Sequence, residues 1–89
     1  MKLMRLNKNF LVHHTSDNSF LVPTGVTDFS GLIKGNRTVG IILDCLKVDT
    51  TYEEIVRKLQ EQFDASEELI RHDVTDTLAK LRSVGAIDE

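Results

Sequence analysis

One cysteine, one proline and five glycines in 89 residues leave this chain without several common kinds of chemistry. Cys45 alone cannot close an internal disulfide or hold an iron–sulfur cluster, and a single thiol suits a reducing, cytoplasmic setting. The glycines, at positions 25, 31, 35, 40 and 85, form no Gly-rich turn joining a strand to a helix, so neither a phosphate loop nor a dinucleotide fingerprint is present. Basic residues are in deficit. Eleven Lys and Arg against fourteen Asp and Glu, with a pI of about 5.5, speak against a domain whose affinity rests on neutralising phosphates. The basic start, Met1 to Leu6, is broken by Asn7, Lys8 and Asn9 before a signal-type apolar segment can form. Repeats and low-complexity tracts are missing too, and the chain is too short for two independent cores or for most catalytic scaffolds. A single domain over residues 1–89 is expected.

What is present divides into two halves of opposite charge and different period. Residues 1–48 carry six basic and three acidic side chains, residues 49–89 five and eleven. The first half reads as strands: Phe10 to His14, Ser19 to Pro23 and Phe29 to Lys34 are short β candidates. Ser16-Asp17-Asn18 supplies a hairpin turn between the first two, and Thr24-Gly25 a turn before the third. Pro23 lacks an N–H and belongs at a strand end. Gly31 and Gly35 strip alternate positions of the third strand of side-chain cover, which lets another backbone come close.

After Asn36 the period changes to about 3.6 and three helices are expected. Asn36 is a good N-cap for a short, mostly apolar helix carrying Val39, Ile41, Ile42, Leu43 and Leu46. Thr51-Tyr52-Glu53-Glu54 is a capping box, and Tyr52, Ile55, Val56, Leu59 and Phe63 then form one inward stripe. Asp64 or Ser66 caps a third helix over about residues 67–84, whose stop is Gly85. Ile70, Val74, Leu78 and Leu81 form its core face, with Leu69, Asp73, Thr77, Lys80 and Val84 as a mixed shoulder able to flank a groove.

Reactive groups do not converge. His13 and His14 are adjacent on a strand and point to opposite faces, so they cannot jointly ligate a metal. His72 and Asp76 can meet on a helix, but two ligands make no site. Cys45 sits in an apolar helix, where a small buried thiol is the ordinary outcome. No catalytic residue, metal or cofactor is expected, and the chain is read as a non-enzyme. The strand and helix order also fits a winged-helix DNA-binding regulator, which is the alternative reading, although Glu67 and Glu68 would open the recognition helix with carboxylates facing the duplex. An exposed glycine-containing strand beside a helix shoulder suits strand addition by a peptide instead.

Three N-terminal strands, then Asn36-Arg37-Thr38-Val39-Gly40, Thr51-Tyr52-Glu53-Glu54-Ile55-Val56 and Asp73-Val74 followed by Leu78, Leu81 and Gly85, resemble the PqqD family from about Asn9 to Asp88. The resemblance implies an α+β, winged-helix-like fold of three antiparallel strands followed by a three-helix bundle. It implies a recognition element that binds the leader of a ribosomally synthesised precursor peptide and presents it to a modifying enzyme, often a radical S-adenosylmethionine enzyme. By similarity, the leader lies along Phe29, Ser30, Gly31, Leu32, Ile33, Lys34 and Gly35 and against Leu69, Ile70, Asp73, Thr77, Lys80, Leu81 and Val84. Gly35, Leu43 and Thr77 depart from the family's usual occupants, which implies a leader other than that of the name-giving pathway. Lys34 and Arg37 at the strand edge suit an acidic leader residue and Asp73 a basic one. Exposed pairs of that kind, worth about 0.2–1 kcal/mol each, set register more than affinity. A proline at Ile33 is expected to remove an N–H and distort the strand.

Overall fold

Side chains that cap exposed amides set the start of each helix. In the computed structural model, which describes residues 2–24 and 33–89, Asn36 Oδ1 accepts from Val39 N at 3.1 Å and opens α1, Arg37–Cys45. Thr51 Oγ1 accepts from Glu54 N at 3.2 Å and opens α2, Tyr52–Gln62. The capping box is realised on one side only, because the Glu54 carboxylate accepts from the buried Thr50 hydroxyl at 3.1 Å. Of the two candidates for the third cap, Ser66 takes the role: its hydroxyl accepts from Leu69 N at 3.2 Å and opens α3, Glu67–Ser83. That helix ends in a Schellman turn. Gly85, at φ +75°, donates to Arg82 O, and Ala86 donates to Leu81 O, which buries Ala86 completely.

The strands come in two sheets. β1, Arg5–Leu6, pairs antiparallel with β5, Ile87–Asp88, delivered there by the Schellman turn, and a single bridge joins Met4 to Thr50. The sequence reading contains neither strand, since two residues carry no period. The larger sheet has the order β2-β3-β4, with β2 Phe10–His14, β3 Ser19–Pro23 and β4 Ile33–Gly35. Its hairpin closes at Thr15 and Asn18, where Thr15 N donates to Asn18 O at 2.8 Å. β4 pairs with β3 through Ser19↔Gly35, Phe20↔Lys34 and Leu21↔Ile33, so the expected third strand reaches one residue further than its period shows. Phe29, Ser30, Gly31 and Leu32, and Gly25 of the expected turn, lie outside the described residues.

Strand alternation assigns the faces. Phe10, Val12, Leu21 and Ile33 turn inward and join Ile42, Leu43, Leu46, Ile55, Val56 and Leu59 in the core, as do Ile70, Val74, Leu78 and Leu81, the expected face of α3. Leu11, His13, Phe20, Val22 and Lys34 share the outer face. Helix α1 lies against β3 closely enough that a β carbon on Gly40 would collide with the Ser19 hydroxyl, and one on Gly35 with the Val39 side chain. Gly35 therefore makes room for α1, whereas the sequence reading assigned that room to a foreign backbone.

A side-chain clasp reinforces this contact. His14 Nδ1 lies 2.7 Å from Ser19 Oγ, and His14 Nε2 lies 2.9 Å from Asp44 Oδ1 on α1. Partial burial works against the Asp44 carboxylate, but hydrogen bonds from His14 and from Lys47, at 3.0 Å, outweigh it and hold the carboxyl below its ordinary pKa.

Two outcomes follow for stability. Gly40→Ala gains up to about 1 kcal/mol of helix propensity but overpacks a buried contact at about 1–3 kcal/mol. A net loss of about 1–2 kcal/mol is expected in urea unfolding, and Ser19→Ala in the same chain should recover part of it. For Asp44, a folded-state pKa below the unfolded one means that its contribution is present above the unfolded pKa and lost as pH falls through the folded one. Asp44→Asn should therefore cost under about 1 kcal/mol at neutral pH, given the half-exposed side chain, and the difference from wild type should vanish as the pH drops below the ordinary carboxylate range.

Candidate functional site

β4 borders the sheet, and the ladder decides which of its backbone groups face outward. Thr24 N donates to Asn9 O at 2.7 Å and Thr15 N to Asn18 O, so in the same register Phe20 and Val22 of β3 bond to β2. Ser19 and Leu21 then bond to Gly35 and Ile33. Lys34 is left with its N–H and C=O directed away from the sheet, and among the described residues no strand takes them up. Ile33, the position singled out from the sequence for a proline test, spends its N–H on β3.

Within three residues of β4, the start of α1 forms one wall of a cavity of about 200 Å³. Its other walls follow from how α2 ends. Phe63 leaves the helix in an extended conformation while its N–H still bonds to Leu59 O at 2.9 Å, and Ala65 passes the chain to the Ser66 cap. Phe63 and Ala65 thereby face Thr38 of α1 and Leu69, Ile70 and Asp73 of α3. Arg37 lies over the Phe63 ring at 5.6 Å, a cation–π contact that covers one side of the aromatic wall. Leu69 stands at the rim, 52 % exposed. Asp73 is half-buried in this mainly apolar lining, and no cation among the described residues pairs with it.

Of the residues expected at the site, the structure brings together Leu69, Ile70 and Asp73 and sets Arg37 beside them. Thr77 and Leu81 are 9 % and 1 % exposed and belong to the core. Lys80 is on the outer face, paired with Asp76 at 3.3 Å, and Val84 packs against the core at the far end of α3. The sequence reading passes over Thr38, Leu59, Phe63 and Ala65 as site residues. Phe63 is visible in the sequence as the last member of the α2 stripe, but its period does not disclose that α2 ends there.

The remaining chemistry-bearing groups are otherwise engaged. Ser19, His14 and Asp44 have the residue types of a nucleophile triad beside a cavity of about 440 Å³. Ser19 is only 4 % exposed and its hydroxyl covers Gly40, so an electrophile has no approach to it. Burial pushes the Cys45 thiol above its ordinary pKa, opposite to what a nucleophile needs. Among the described residues no three metal-binding side chains come together. On α3, Arg71 donates to Glu53 through two bonds of 2.9 Å and to Glu67 at 2.9 Å, which raises its pKa further, and Arg82 pairs with Glu89 at 2.8 Å. The cations a recognition helix would need for phosphates are thus already neutralised.

No curated protein sequence matches the chain. A solved structure, TbiB1 in complex with the TbiA(beta) leader peptide, shares the fold with a TM-score of 0.79 over 94 % of each chain at 15 % identity. The family model of coenzyme PQQ synthesis protein D (PqqD) matches residues 15–87, which takes in the hairpin tip, the open β4 edge, all three helices and Ile87 of β5. The chain belongs to the PqqD family.

Proposed function

We propose that this protein binds the leader of a ribosomally synthesised precursor peptide as a strand added to β4 and presents it to a modifying enzyme, of the radical S-adenosylmethionine class by the family resemblance. The observation that carries this reading is the outward N–H and C=O of Lys34 beside an apolar cavity between α1, α2 and α3. The edge gives main-chain hydrogen bonds that do not depend on peptide sequence, and the cavity takes an anchoring side chain. TbiB1, which has the same fold, is seen with a leader peptide, and this supports the same use of the fold here. The protein carries out no reaction itself. Its role is to raise the local concentration of substrate at the enzyme's active site. Among the described residues no helix is long and apolar enough to cross a membrane, and we place the protein in the cytoplasm, where Cys45 stays a thiol.

The paired cations of α3 do not favour the alternative, a winged-helix DNA-binding regulator.

Amide exchange on the protein with the leader encoded beside its gene tests the proposal. The Lys34 amide should exchange at least about tenfold more slowly in the complex, because it gains a hydrogen bond. Lys34→Pro should weaken leader binding by about tenfold while leaving the circular dichroism unchanged, since proline is tolerated at a sheet border where its missing N–H faces outward. An unprotected Lys34 amide in a saturated complex would exclude strand addition at β4.

A further inference from the structure

The face alternation of β4 and the unpaired charge in the neighbouring cavity together specify more about the peptide than its backbone. We infer, on the reading that the ligand adds as a strand to β4, that this protein selects a two-sided leader: an apolar anchor and a basic side chain on the inward face, and an acidic side chain on the outward face opposite Lys34.

Cross-strand neighbours in a sheet share a face, and successive residues alternate between faces. Lys34 lies opposite Phe20 on the outer face and is exposed, and no carboxylate among the described residues pairs with it. The peptide residue that comes to lie beside Lys34 must point outward as well, where a carboxylate meets the ammonium group at cross-strand distance. The peptide residues before and after it point inward. That is the side of Ile33, of the core and of the helices, and hence of the cavity walled by Leu59, Phe63 and Leu69.

The inward residues meet two different surfaces. The aromatic and aliphatic walls take an apolar side chain. Asp73 presents a half-buried carboxylate, and the cations near it are committed elsewhere: Arg37 lies on the Phe63 ring, and Arg71, two residues away on a different face of α3, is held by Glu53 and Glu67. A partly desolvated carboxylate without a counter-ion is satisfied by a donor the ligand brings, and a Lys or Arg two positions from the apolar anchor lies on the same inward face. The order of signs is what makes the inference specific. A peptide with the charges exchanged would set an acid against Asp73 and a base against Lys34, so like charges would reject it at both places.

The test is a selection of displayed random dodecapeptides on the full chain, with wild type, Asp73→Lys, Asp73→Asn and Lys34→Glu run in parallel and each variant's fold checked by circular dichroism. Peptides recovered on wild type should show Lys or Arg spaced two residues from an aliphatic or aromatic anchor, with Asp or Glu at the intervening position. For single synthetic peptides from that set, loss of one charge contact should cost about three- to fivefold in Kd. Asp73→Asn should erase the inward basic preference, Asp73→Lys should reverse it to acidic, and Lys34→Glu should reverse only the outward preference. Recovered peptides that protect the Lys34 amide but show no charge preference, or a preference the variants do not move, would overturn the two-sided code and leave strand addition standing. Recovery of no peptide, or only of peptides that leave the Lys34 amide unprotected, would remove strand addition and the code together.

Discussion

Three consecutive residues of β3, Ser19 to Leu21, hold the element on which the proposed strand addition depends. The described part of β4 is three residues long and, among the described residues, is paired on one side, too little to persist as an isolated hairpin. It is kept in place because Leu21, fully buried, fixes Ile33 against the core, and because Ser19 fixes Gly35 while packing against Gly40 of the next helix. The Asn36 cap follows directly, so the turn from strand to helix is set at both ends. The absence of side chains at Gly35 and Gly40 is what permits this contact: each lets α1 lie on the sheet at a distance no other residue allows. An edge proposed to receive a strand in register needs a fixed template, and here the support comes from packing behind the edge.

Much of this architecture is legible in the amino-acid sequence. The periods of residues 10–23 and 37–84 gave two strands and three helices, and Asn36, Thr51 and Gly85 marked helix ends because each satisfies a backbone group that would otherwise be orphaned. The illegible parts have physical reasons. β1 and β5 are two residues each, and they exist because the Schellman turn at Gly85 aims the C-terminal residues at Arg5 and Leu6, a contact between opposite ends of the chain. Glu54 left its expected amide for the Thr50 hydroxyl, a group its own helix does not contain. The lining of the candidate site was legible in part. Leu69, Ile70 and Asp73 follow from the helical wheel of α3, but a wheel extends a shoulder along the whole helix, whereas the cavity stops where α2 turns at Phe63. Thr77 and Leu81 therefore went to the core.

Charge is distributed with the same economy. The acidic excess of residues 49–89 looks from composition like a repulsive surface, yet Glu53, Glu67, Asp76 and Glu89 are spent on Arg71, Lys80 and Arg82. Exposed pairs of this kind add little stability. Their larger effect is to offset the cations of α3, which does not favour phosphate binding by that helix. Lys34 and Asp73, by contrast, stand beside the β4 edge and in the cavity without such partners among the described residues, where a strand added as proposed would meet both.

The division of labour between backbone and side chain also explains how one fold can be shared at 15 % identity. The described edge offers one outward N–H and one outward C=O, worth about 0.5–1.5 kcal/mol each, far short of the roughly 8 kcal/mol that a micromolar complex requires. The hydrogen bonds therefore set direction and register, and burial of anchoring side chains, at about 1.5–3 kcal/mol apiece, must supply most of the affinity. Backbone bonds place no demand on the identity of the residues that make them. The sheet and its supporting helix can then be kept by any sequence that preserves the packing, while on the proposed reading the lining of the cavity is free to change with the peptide it takes.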